Sequence, residues 1–240
     1  MILSLSYPTF IQHTTLFLGF ITTMIGYANR NKFWELKLLY LYPFASFIQI
    51  AVCILLPLTN ISDELYSNSP YISMNLFLLV EFLLIYHFYS RIFKSGTVKK
   101  ILLATTIVYS ITAFFYWLHG DNLLNEPANF HFTTQAFIIL FPGLLYIVRL
   151  IKRPLNYKLT IFPAFWVVSG IMFYFSCTLP LFIIEDLTTD EPKNESLSNP
   201  ELYSINEISY CVLFFTIIKA YLCPKVETYH IESRFDTFNR

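Results

Sequence analysis

The stretch Tyr71–Arg91, YISMNLFLLVEFLLIYHFYSR, decides the class of this chain. It is long enough to cross a bilayer core of about 30 Å as a helix at 1.5 Å per residue. Its one acidic group, Glu81, stands about ten residues from either end. A bare carboxylate at that depth costs several kcal/mol, so this position calls for a protonated, paired or cavity-facing side chain.

The rest of the chain has the same character. Hydrophobic residues make up 55% of the 240 and charged residues only 13%, against roughly 25% charged in a soluble domain. With 25 Phe, 17 Tyr and only 6 Gly, the composition suits a helical bundle whose exterior faces lipid. Too few charges are present to cover a soluble surface. The N-terminal segment MILSLSYPTFIQHTTLFLGF lacks a basic n-region and a small-x-small cleavage site. It reads as the approach to a retained first helix.

Seven apolar windows follow, at about 10–28, 38–58, 71–90, 101–118, 131–149, 160–184 and 203–222. The first is diluted by Thr14, Thr15, Thr22 and Thr23. The seventh begins with Asn206, Glu207 and Ser209, which makes it the window most open to a six-span alternative. Pro43, Pro57, Pro142, Pro163 and Pro180 are placed to shape the helices. Fifteen of the sixteen Lys and Arg residues fall on one side of this arrangement, with only Lys193 opposite. Asp63, Glu64, Asp121, Glu126 and the acidic loop from Glu185 to Glu201 occupy the other side. The positive-inside rule therefore predicts an all-α, polytopic seven-helix bundle with its N-terminus outside and its C-terminus inside. Residues 1–224 form the transmembrane domain in this reading, and 225–240 a short cytoplasmic tail. Asn60 and Asn194 match glycosylation acceptors on the outer side, which matters only in a eukaryotic secretory setting.

Polar residues inside apolar windows nominate a site. Glu81 leads, as a proton switch, relay or ligand contact, or as a packing hydrogen bond. Asn75 lies six residues earlier, rotated about 120° around the same helix. Gln49 in ASFIQIAVC, Gln135 at the start of the fifth window and Tyr174 in the sixth are candidate partners for Glu81. Ordinary packing or interfacial placement competes with that reading at each. Trp166 and Tyr174 line a pocket or pack in the bundle, and Ser169–Gly170 permits close helix approach. Asn206 and Glu207 form a polar entry to the last window, equally readable as a solvated helix end.

The familiar chemical signatures are missing. There is no HExxH, GxSxG, Walker A loop, dinucleotide glycine pattern or potassium-filter sequence. Cys53, Cys177, Cys211 and Cys223 form neither a CxxC nor a Cys/His metal spacing. Lys219 sits at the end of its window, too shallow for a retinal Schiff base. No catalytic residue, metal, cofactor or nucleic-acid partner is expected.

Three local features, NLFLLVEFLLIYHFYSRIF at 75–93, FWVVSGIMFYFS at 165–176 and the Asn206 entry, sit within a matching span layout over most of the chain. In these the chain resembles seven-helix membrane modules of this size from bacteria of the Bacteroidetes type, some associated with histidine-kinase signalling. The resemblance implies a sensory or regulatory module in the bacterial inner membrane. It would bind a small, apolar ligand or lipid within the bundle and signal to a separate cytoplasmic partner, because the chain carries no kinase domain. A small proton-coupled transporter and a lipid-active enzyme are the alternative expectations.

Overall fold

Backbone polar groups in hydrocarbon must be satisfied within the protein, and a continuous apolar run achieves this as a helix. The computed structural model describes residues 7–55, 63–93, 95–118, 129–152, 159–188 and 200–224. Among them are seven α-helices: α1 (Tyr7–Asn29), α2 (Leu41–Leu55), α3 (Asp63–Ile92), α4 (Gly96–Leu118), α5 (Asn129–Lys152), α6 (Pro163–Thr188) and α7 (Pro200–Leu222). Short 3-10 turns at Trp34–Leu36 and Leu159–Ile161 lead into α2 and α6. The tail 225–240, the Asp121 and Glu126 connection, Asn60, Asn194 and most of the acidic loop lie outside the described residues.

Six segments are long and apolar enough to cross a membrane: Trp34–Leu55, Ile72–Ile92, Gly96–Tyr116, His131–Lys152, Pro163–Ile184 and Ser204–Leu222. This is therefore a multi-pass, all-α integral membrane protein. The segment that falls short is α1, not the last helix. The carboxamide of Gln12, His13 and the threonines lower its apolar character. Those hydroxyls are nonetheless satisfied inside the helix. Thr14, Thr15, Thr22 and Thr23 donate to the carbonyls of Phe10, Ile11, Leu18 and Gly19, four residues back, at 2.7–3.1 Å.

Proline placement follows the backbone's needs. Pro163 and Pro200 open α6 and α7, where a missing N–H leaves no bond unmade. Pro142 and Pro180 lie inside α5 and α6.

Side-chain pairs fix the register. α1 runs antiparallel to α2, through Phe20–Phe47 and Tyr27–Tyr40 at 5.7 Å between ring centroids. It runs parallel to α7: Thr15 meets Cys211, Gly19 faces Phe214, and Gly26 faces Tyr221. α5 and α6 are antiparallel, with Phe132 on Phe182 at 3.9 Å and Gly143 against Met172. At Gly170 an added Cβ would overlap Thr216, so this glycine is what lets α6 and α7 approach so closely.

Every described lysine and arginine lies at one end of this alternating bundle. There Arg91 covers the Trp34 ring at 5.4 Å and Lys219 the Trp166 ring at 5.9 Å. Lys32 Nζ donates to the Tyr221 carbonyl at 3.2 Å, and Tyr221 returns its hydroxyl to the Leu36 carbonyl at 2.8 Å. These contacts bind the α1–α2 connection to the end of α7.

Candidate functional site

Glu81 faces inward from α3 and is fully buried. Two neutral donors hold its carboxyl. Tyr42 of α2 donates its hydroxyl to Oε1 at 2.9 Å, and Gln135 of α5 donates Nε2 to Oε2 at 2.8 Å. Gln135 accepts in turn from the Tyr109 hydroxyl of α4 at 2.9 Å. That hydroxyl also lies 3.5 Å from the His131 carbonyl. The Tyr109 ring packs on Phe82, the neighbour of Glu81, at 4.3 Å between centroids.

The Tyr42 arm continues through the far side of the bundle. The Tyr42, Tyr210 and Tyr174 side chains, from α2, α7 and α6, are electrostatic neighbours there. The Tyr174 and Tyr210 rings stand 4.4 Å apart, with Phe214 packed against both Tyr42 and Tyr210. Hydrogen bonds thus join α2, α3, α4 and α5 around one carboxyl, with aromatic side chains of α6 and α7 packed beside them. Among the described residues, no lysine or arginine pairs with it.

The two directions along the bundle axis differ. Toward the basic end come Ile85, Phe88, Ile139, Val168, Ile171 and Ile217, from four helices, each at most 3% exposed. The Tyr89 hydroxyl, buried at the Gly143 backbone beyond them, has no hydrogen-bond partner. Toward the opposite end the lining is polar. Glu207, one turn before Tyr210 on α7, lies near Thr15 of α1 and Cys53 of α2, with Ser73 of α3 beside that thiol. Thr15 Oγ1 lies 3.5 Å from Cys211 Sγ. One Glu207 oxygen, Oε2, and the Asn206 Oδ1 are buried without a hydrogen-bond partner.

The residues singled out by sequence are distributed unevenly around this centre. Gln135 is on Glu81 directly, and Tyr174 packs its ring on Tyr210 nearby. Gln49 does not reach Glu81: it lies half-buried and donates to Cys53 Sγ, four residues along its own helix, at 3.6 Å. The reason is axial distance. Tyr42, not Gln49, is opposite Glu81, and seven residues of helix separate the two by about 10 Å. Asn75 is fully buried, six residues from Glu81 toward the polar end. Trp166 is remote. Its Nε1 donates to the Thr160 carbonyl at 2.8 Å near the basic end, where it acts as an interfacial anchor. Asn206 belongs to the polar entry with Glu207.

Tyr42, Tyr109 and Tyr210 went unread in the sequence. Seventeen tyrosines leave no single one conspicuous. A usable signal exists only in Tyr42, which stands near the start of the second apolar window beside Pro43. No cluster of His, Cys, Asp and Glu suited to a metal occurs among the described residues. Comparisons with family models, with characterised proteins and with solved structures find no match.

Proposed function

We propose that the protein is a sensory or regulatory membrane module switched by protonation of Glu81. The observation that carries this is a fully buried carboxyl held only by neutral donors from separate helices. A lysine or arginine partner would fix the ionised form; tyrosine and glutamine leave both forms satisfiable. Both carboxyl oxygens already have protein donors, which favours a proton over a small ligand as the input at this point.

In this proposal the module spans the membrane seven times, with its N-terminus outside. Support for α1 as a span comes from its parallel run beside α7, matched from Thr15–Cys211 to Gly26–Tyr221. The basic end faces the cytoplasm by the positive-inside rule. The resemblance to bacterial seven-helix modules suggests the bacterial inner membrane and a separate cytoplasmic signalling protein, with lipids as the surrounding partner.

Infrared difference spectra of the protein in nanodiscs across a pH titration test the switch. The expected result is a protonated-carboxyl band that changes with pH in the wild type and is lost in Glu81→Gln. An unchanged difference spectrum in Glu81→Gln would refute it. Sustained, Glu81-dependent proton flux in proteoliposomes would instead favour the carrier reading.

A further inference from the structure

We propose that the polar half of the bundle holds a site for one alkali-metal cation, bound by Glu207 of α7, Ser46 of α2 and Thr15 of α1. The site goes beyond the Glu81 switch and does not depend on it.

Two orphaned oxygens single it out. Ser46 is 1% exposed, and its Oγ has no hydrogen-bond partner, not even the Tyr42 carbonyl one turn back on its own helix. Glu207 is half-buried, and its Oε2 is likewise buried and unpartnered. A serine inside a helix commonly returns its hydroxyl to its own backbone. A buried carboxylate oxygen needs a donor or a cation.

Helix register brings these oxygens to one depth. Tyr42, Gly19 and Phe214 form a layer shared by α2, α1 and α7. The Phe214 ring lies 6.4 Å from that of Tyr42 and 3.4 Å from a Cβ built at Gly19. Ser46 lies one turn from Tyr42 toward the polar end, and Thr15 one turn from Gly19, each pair sharing a face. Glu207 lies seven residues, about two turns, from Phe214 in the same direction and on the same face. α2 is antiparallel to α7, and helical side chains lean toward their own N-terminus. The Tyr42 backbone therefore stands farther toward the polar end than that of Phe214. One turn from the former and two from the latter reach the same depth.

Thr15 Oγ1 gives its hydrogen to the Ile11 carbonyl at 3.1 Å, so toward Cys211 Sγ, 3.5 Å away, it presents lone pairs. Thr15 and the Cys53 thiol are also electrostatic neighbours of Glu207. Asn206, whose Oδ1 is orphaned too, shares the face of Leu213 toward Gly170 of α6 and is not part of the site.

The donors fix the class of ligand. Carboxylate and hydroxyl oxygens suit hard cations rather than thiophilic metals. One carboxylate neutralises one positive charge, whereas a divalent ion would leave a net charge buried. Every described lysine and arginine lies at the opposite end, and His13 is exposed on another face of α1, so no described side chain supplies that charge. The acidic connections on the polar side raise the local concentration of cations.

Scintillation-proximity binding of radioactive sodium and rubidium to the purified full-length protein in nanodiscs tests the site. The expected result is saturable binding of at least one of the two, one ion per chain, displaced by the unlabelled ion and not by choline. Glu207→Gln, which conserves shape, is expected to abolish it. Ser46→Ala, which breaks no existing hydrogen bond, is expected to weaken it about threefold or more, and Glu81→Gln to leave it unchanged. Absence of saturable binding would mean that the orphaned oxygens hold only water, and it would overturn the proposal. So would wild-type affinity in Glu207→Gln or Ser46→Ala, loss in Glu81→Gln, or displacement by calcium at lower concentration than by sodium.

Discussion

Tyr42→Phe is the most direct probe of the central site because it removes one oxygen and little else. The Tyr42 side chain is 1% exposed, and its ring packs on Phe77 and Phe214 at 6.3 and 6.4 Å between centroids. Phenylalanine keeps those contacts. What is lost is the 2.9 Å bond to Glu81 Oε1. A hydrogen bond between neutral groups contributes about 0.5–1.5 kcal/mol and one to a charged group about 1.5–3. Polar contacts measured between helices inside a bilayer average about 0.6 kcal/mol and reach about 1.7. The bilayer values govern here, so Tyr42→Phe is expected to cost about 0.6–1.7 kcal/mol. The informative quantity is its coupling to Glu81→Gln. Gln at 81 still presents an acceptor but loses the carboxyl's second oxygen, so Gln135 Nε2 faces an amide nitrogen or the amide turns from Tyr42. Reversible unfolding in mixed detergent and dodecyl sulfate micelles gives the four corners of the cycle. The expected coupling is about 1 kcal/mol. Additivity of the two substitutions within about 0.3 kcal/mol, the behaviour of independent sites, would refute the bond as drawn.

Other substitutions separate packing from the polar network. Gly170→Ala places a Cβ into Thr216, whose hydroxyl is already committed to the Leu213 carbonyl at 2.7 Å; the expected loss is about 1–3 kcal/mol from overpacking. Gly96→Ala, where nothing lies near an added Cβ, is the control and is expected to leave the unfolding midpoint unmoved. Gln49→Leu is expected to change stability by less than about 0.5 kcal/mol, the size of an ordinary surface change, and to leave the infrared band intact. A Gln49→Leu phenotype as large as that of Gln135→Leu would place Gln49 in the site after all.

The sequence was legible where a single residue contrasts with its neighbours. Glu81 in an apolar run and Gln135 at the start of another stand out because each polar group breaks a pattern. The spans themselves are legible because length and apolarity suffice to mark them. Facing is different. α3, α6 and α7 are apolar on nearly every side, with lipid on one face and protein on the other, so periodicity does not tell which face turns inward. That is why Tyr210 does not stand out, while Tyr42 and Tyr109 are lost among seventeen tyrosines and Gln49, in the correct helix, lies two turns from the depth of Glu81. The weak helix was misjudged for a similar reason. Polar residues at the start of α7 are buried against α1, α2 and α3, while the threonines that dilute α1 satisfy themselves through their own backbone.

The choice of donors around Glu81 has a consequence that can be tested by changing one of them. As a carboxylate, Glu81 accepts from Tyr42 and Gln135. As an acid it must give one hydrogen bond back. On the Gln135 side, the amide flips, so that Oε1 accepts from Glu81 and Nε2 donates to the Tyr109 oxygen. Tyr109 then donates to the His131 carbonyl, already 3.5 Å away. With that flip, no polar atom of this group is orphaned, so the two states differ by little beyond the proton. Gln135→Lys removes that freedom by placing a fixed ammonium beside Oε2, where a buried charge pair holds only while both members are ionised. The variant is expected to fold, with Tyr109 retaining the His131 carbonyl, and to lose the pH-dependent carboxyl band that Gln135→Met retains. A pH response in Gln135→Lys equal to wild type would mean that the carboxyl does not titrate at this position and that its hydrogen bonds to neighbouring helices are purely structural.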